Sequence, residues 1–193
     1  MIARHRWSDT LWPLGIAHDV ETGSTTFAVH APAASRVLLE LYSAPTGVDA
    51  YADFDMVRGR DGVWCASLSG LTHGALYAFR CWGDNWRPDP AWHRGGSRAG
   101  FQSDFDEHGN RFNPNKVLFD PYARELTHTP LSGAVRRAGA SPMIFSSGMM
   151  PYSGRRAREV DTGRYAPKGV LVLDETPTGR RPSASGNPAI YEA

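Results

Sequence analysis

One stretch constrains this chain more than any other: Asn110-Arg111-Phe112-Asn113-Pro114-Asn115-Lys116-Val117-Leu118-Phe119-Asp120-Pro121-Tyr122-Ala123-Arg124-Glu125. Pro114 and Pro121 fix their own φ and push Asn113 and Asp120 towards extended backbone. Between them Val117, Leu118 and Phe119 form an apolar run, long enough for one buried strand and too short for a helix. Asp120 is placed to accept backbone N–H groups as an N-cap, with Pro121 at the first helical position of a turn through Tyr122 and Ala123. Asn113, Pro114, Lys116, Asp120, Pro121 and Tyr122 thus make a structural motif. A segment this rigid joins two parts that must hold a fixed relative position.

The chain before it reads as short strands between turns. Residues 25–30 alternate, with Phe27 and Val29 on one face, and Ala31-Pro32-Ala33-Ala34 makes a turn. Residues 36–42 form a second strand that places Val37, Leu39 and Leu41 inward and Glu40 outward. Phe54 and Met56 alternate in a weaker strand, and Asp61-Gly62 is a strong hairpin signal. Residues 63–68 and 75–82 flank a further turn at 69–74. The 20 glycines and 14 prolines favour many turns over long helices. An antiparallel β-sandwich follows. The loop 83–109 is long for a compact domain, which marks it as functional or mobile. Residues 126–163 read as an irregular excursion, with Phe145, Met149 and Met150 patching it onto a surface. Residues 169–173 form a last buried strand, and 175–188 a Pro/Gly/Ser-rich linker.

Charge and hydropathy exclude several partners. A net charge of +1 gives no electrostatic case for nucleic acid or an acidic membrane surface. The apolar runs are too short to span a bilayer, and no apolar h-region follows Met1 to Arg6, so a cytoplasmic location is expected. If the strands flanking 70–74 form a hairpin, Cys65 and Cys81 lie on one face at similar distances from the turn, and a cross-strand disulfide is geometrically allowed. Two reduced, mostly buried thiols are the expected state in a cytosolic protein.

The motif at 113–123, with its Asn-Pro, Lys, apolar triplet and Asp-Pro-Tyr-Ala in that order, resembles the end of the N-terminal domain in isoamylase and glycogen-debranching enzymes of the α-amylase superfamily. The resemblance extends to Pro13-Leu14-Gly15, to the Ala-Pro turn between two strands, and to Trp64, Gly70, Leu71, Gly74, Tyr77 and Arg80. It continues through Ala166-Pro167-Lys168 and Ile190-Tyr191-Glu192. The Trp82-Gly83-Asp84-Asn85-Trp86 run, with Gly100-Phe101 and Ser103-Asp104, is closer to bacterial isoamylases than to glycogen-debranching relatives.

It implies an all-β, immunoglobulin-like antiparallel β-sandwich over 13–174, an N-terminal arm at 1–12, and a tail at 175–193 that ends where a catalytic (β/α)₈ barrel would begin. The implied role is a non-catalytic domain in the cleavage of α-1,6 branch points, with α-glucan and the barrel as partners. A free-standing α-glucan-binding module is the alternative.

Glycoside hydrolysis in that superfamily needs a carboxylate pair at the ends of barrel strands. The chain supplies no barrel, so Asp104, Asp106, Glu107 and Asp120 receive no catalytic role. Asp104 and Asp106 lack the glycine and twelfth-position glutamate of an EF-hand loop and read as a solvated acidic turn. Some bacterial isoamylases carry an acidic calcium ligand where Thr129 stands here. The seven histidines show no metal spacing. No metal and no cofactor are expected.

Sugar binding is the remaining site expectation, with Trp82, Trp86 and Trp92 offering faces on which glucose rings stack. The competing reading makes Trp82 strand core and packs the others against the barrel. Ala78 follows Tyr77 where related glycogen-binding modules carry a lysine, which weakens autonomous binding.

Overall fold

The computed structural model describes residues 3–5, 14–146 and 156–173. The readings placed on Pro13, Met149-Met150 and the tail from residue 174, including Ile190-Tyr191-Glu192, lie outside the described residues. Of the arm at 1–12, Ala3–His5 is described, and it is a strand (β1) paired with a later one.

The alternating segments pair, always antiparallel, into two sheets. In the first, β1 (Ala3–His5) and β6 (Val57–Arg58) lie end to end along one edge of β7 (Val63–Ser69). β3 (Ser24–His30) pairs with the other edge, and β2 (Gly15–Asp19) is outermost. The second runs β5 (Ala52–Asp55), β4 (Arg36–Tyr42), β8 (Leu76–Trp82), β9 (Gly169–Val170). Side chains at every second position meet between them: Phe27, Trp64, Ala66 and Leu68 from the first sheet, Val37, Leu39, Leu41, Tyr77, Phe79 and Cys81 from the second. The fold is the expected all-β antiparallel sandwich.

The hairpin at Asp61-Gly62 forms between β6 and β7. Asp61 (φ 55°) and Gly62 (φ 73°) both take left-handed backbone, which Asp tolerates and Gly adopts freely. A Cβ on Gly62 would stand 2.5 Å from the Pro32 Cα, so the position admits glycine alone.

Residues 70–75 do not close a hairpin. They carry the chain from β7 in one sheet to β8 in the other. Cys81 sits in the core, whereas Cys65 alternates with the core-facing Trp64 and Ala66, so the shared face that a bridge requires does not exist. Both thiols are free and buried, and burial pushes each up to about 12.

The run Val117-Leu118-Phe119 is not a buried strand. Leu118 makes one reciprocal bridge with Phe79 (2.8 and 2.9 Å), and of the three only Val117 is buried. The N–H groups of Asn115, Lys116 and Val117 go to the Asn113 side chain, the Asn113 carbonyl and the Thr162 hydroxyl instead of to a neighbouring strand. The described residues of 126–163 contain one short helix, α1 (Gly133–Arg137), and 3₁₀ turns at Pro142–Phe145 and Ala157–Glu159. Among the described residues no helix is long and apolar enough to cross a membrane.

Candidate functional site: the covered face of the second sheet

Residues 38, 40 and 42 of β4 and 78, 80 and 82 of β8 point away from the sandwich core. In a two-layer sandwich that face would meet solvent. Here the loop after β8 and residues 156–168 lie over it, and Leu38, Glu40, Tyr42, Ala78, Arg80 and Trp82 are all buried. The expectation for Glu40 is therefore corrected: it faces outward from the core but has no solvent. Alternation fixes which side of a strand a residue faces, while burial on that side depends on chain folding back from far along the sequence.

Burying a carboxylate demands cations, and two arrive. Glu40 Oε1 lies 2.8 Å from Arg80 Nε and accepts a hydrogen bond from Arg94 Nε at 2.7 Å, while Oε2 accepts one from the Tyr42 hydroxyl at 2.5 Å. The Arg80 Nε–H is not aimed at the carboxylate, so that contact is an ion pair without a directed bond. Arg80 also donates to the Pro114 carbonyl (2.7 Å) and to Asp161 (3.0 Å), and Arg94 reaches Asp53 at 2.5 Å. Burial works against charge on Arg80, yet Glu40 and Asp161 hold it protonated and raise its pKa. The network pins the motif, the long loop and the 156–168 segment onto one strand pair. The family resemblance named Arg80, but its partner Asp161 lies 81 residues away and no local pattern announced it.

The tryptophans seal the same face. Trp82 and Trp86 are 0% and 1% exposed, so neither offers a face to a sugar, contrary to the stacking platform expected of them. Trp92 is half-buried, edge-on to Trp82 at 5.0 Å, and Trp86 is edge-on to Phe101 at 4.9 Å. Arg36 covers the Trp82 ring at 4.6 Å, and the Trp86 indole N–H donates to the Ala99 carbonyl at 2.8 Å. The three tryptophans pack within this chain's own loop.

Asn113, Lys116 and Asp120 of the motif each hold hydrogen-bond partners. Asn113 donates to the Arg158 carbonyl (3.0 Å) and accepts from the Asn115 N–H (2.9 Å). Asp120 accepts from the Tyr122 N–H and the Tyr77 hydroxyl, each at 2.8 Å, and closes a turn rather than starting a helix. Lys116 Nζ donates to the carbonyls of Ile144 (2.5 Å), Val160 (2.9 Å) and Ala157. Lys168 Nζ does the same with Gly163 (2.7 Å) and Ala166 (2.5 Å). Burial pushes both amines down to about 8.

Asp104 pairs with Arg158, and Asp106 caps its own turn, accepting from the N–H groups of His108 (2.9 Å) and Asn110 (2.8 Å). Among the described residues no group of three or more His, Cys, Asp or Glu is arranged to hold a metal.

Comparison with known proteins accords with this architecture. The isoamylase of Pseudomonas amyloderamosa is 38% identical over 188 residues, a match covering 93% of this chain and 23% of that enzyme. The isoamylase of Flavobacterium sp is 36% identical over 190 residues, with the same coverage of 93% and 23%. A glycogen debranching enzyme of Erwinia tasmaniensis is 28% identical over 167 residues, covering 84% of this chain and 19% of that one. The chain thus spans less than a quarter of the length of the isoamylases it matches. The profile of carbohydrate-binding module 48, the isoamylase N-terminal domain, matches residues 13–123, more than half of the chain, and on that match the chain belongs to this family.

Proposed function

We propose that this chain serves as a non-catalytic N-terminal domain of an isoamylase-like debranching enzyme, which cleaves α-1,6 branch points of glycogen or starch-like glucans on a (β/α)₈ barrel elsewhere in the longer protein. The observation that carries this reading is the similarity to isoamylases along 93% of this chain and only 23% of theirs. The domain's work is to dock on the barrel and shape the glucan cleft. The motif supports docking: it turns Leu118 (48% exposed) and Phe119 (42% exposed) outward, with Tyr122 and Leu126 beside them in sequence and also exposed. An autonomous module built on the tryptophan loop is disfavoured, because Trp82 and Trp86 are consumed in packing.

Sedimentation velocity on the isolated chain tests the docking surface. With no barrel present, the outward apolar row should drive concentration-dependent self-association, and the double substitution Leu118→Ser, Phe119→Ser should return the chain to a monomer. A wild-type chain that stays monomeric at every concentration contradicts this surface.

A further inference from the structure

A cavity of about 510 Å³ opens beside the aromatic loop, a volume in the range that holds small ligands. Phe101 and Phe112 line it, and Phe105 stands at it with 57% of its surface exposed. Most polar groups around it are spent. Asn85 donates to the Ser103 and Phe112 carbonyls and accepts from the Phe112 N–H, and Lys116 is saturated by its three carbonyls.

Two charged side chains lining the same cavity are not spent. Asp104 gives Oδ1 to Arg158, and among the described residues nothing donates to its Oδ2. The exposed Arg111 guanidinium lies 5.9 Å over the Phe105 ring and has no protein acceptor among the described residues. A free donor fork, a free carboxylate oxygen and an accessible ring stand together. Vicinal hydroxyls both donate and accept, and the C–H face of a pyranose packs on an aromatic ring. An anion would meet Asp104, and an apolar ligand would strip water from both charges.

We infer that this cavity binds a short stretch of α-linked glucan, with Phe105 against a sugar face and Arg111 and Asp104 Oδ2 hydrogen-bonded to its hydroxyls. The choice of glucan among neutral sugars rests on the debranching reading above. This places glucan contact at Asp104, Phe105 and Arg111 instead of on the tryptophans.

Calorimetric titration of the whole chain with maltoheptaose tests the inference. The wild type should give a saturable isotherm, and Phe105→Ala and Arg111→Ala should each weaken binding about tenfold or more. Both side chains are exposed, so their thermal midpoints should stay at the wild-type value, and Tyr51→Ala, at another exposed aromatic, should bind as the wild type does. The Arg111 Nε–H resonance should shift on saturation. No saturable binding by the wild type, or unchanged affinity in both cavity variants, overturns the site. Neither result bears on the debranching reading, which the sedimentation and hydrolysis measurements decide separately.

Discussion

The Tyr77 hydroxyl donates to Asp120 Oδ2 at 2.8 Å, and through that bond the core face of the second sheet holds the Asp-Pro-Tyr-Ala turn in place. Both residues are buried, and burial together with the Asp120 charge raises the Tyr77 pKa. Asp120→Ala strands the buried hydroxyl and frees the Tyr122 N–H, so it should cost about 2 kcal/mol, more than a lost cap alone. Tyr77→Phe should cost about 1 kcal/mol. Urea unfolding of both single variants and the double variant checks this, and the two effects should be non-additive.

Glu40 neutralises two arginines where it is fully buried, so among the described residues its removal leaves Arg80 with Asp161 as its remaining carboxylate partner. Glu40→Ala should destabilise by about 3–5 kcal/mol, the range for breaking a buried pair. The loop carrying Arg94 should loosen with it, and Trp92 should become more accessible to acrylamide quenching than in the wild type.

Lys116 and Lys168 are both depressed to about 8, so the contribution of Lys116 is isolated by substitution. Its folded pKa is about 8 against an ordinary lysine value of about 10.4, so between these values the unfolded chain binds the extra proton and this lysine's contribution to stability rises with pH. The buried thiols, raised to about 12, act in the opposite sense. The comparison is therefore the difference in unfolding free energy between wild type and Lys116→Met, which should grow in favour of the wild type from pH 8 to about pH 10. A difference that is flat over this window contradicts the depressed value.

Neither cysteine should react with a thiol reagent in the native chain at pH 8. Thiolate is the reacting form, and both thiols are buried and held protonated up to about 12. Denaturant should release two equivalents, matching the two cysteines of the sequence.

Alternation made the sandwich legible, because inward residues such as Val37, Leu39 and Leu41 recur at the period of a strand. The Asp61-Gly62 turn was legible because few residue pairs accept left-handed backbone twice in succession. The covered face was not. Glu40 reads as solvent-facing by period, and Trp82 and Trp86 read as a platform by composition. What buries them is loop and excursion chain whose contacts, such as Arg80 with Asp161, span 81 residues. Lys116 and Lys168 were equally opaque, since their partners are backbone carbonyls, which every sequence supplies. Phe105 and Arg111 fell within stretches that could be read, but nothing local says that their side chains stay free while their neighbours' polar groups are consumed.

A supporting domain of this kind has no hydrolytic centre of its own. The direct measurement is release of reducing ends from pullulan and glycogen by the purified chain, set against a heat-killed control. The expected result is no release above the control. Reproducible release by the pure chain would contradict it.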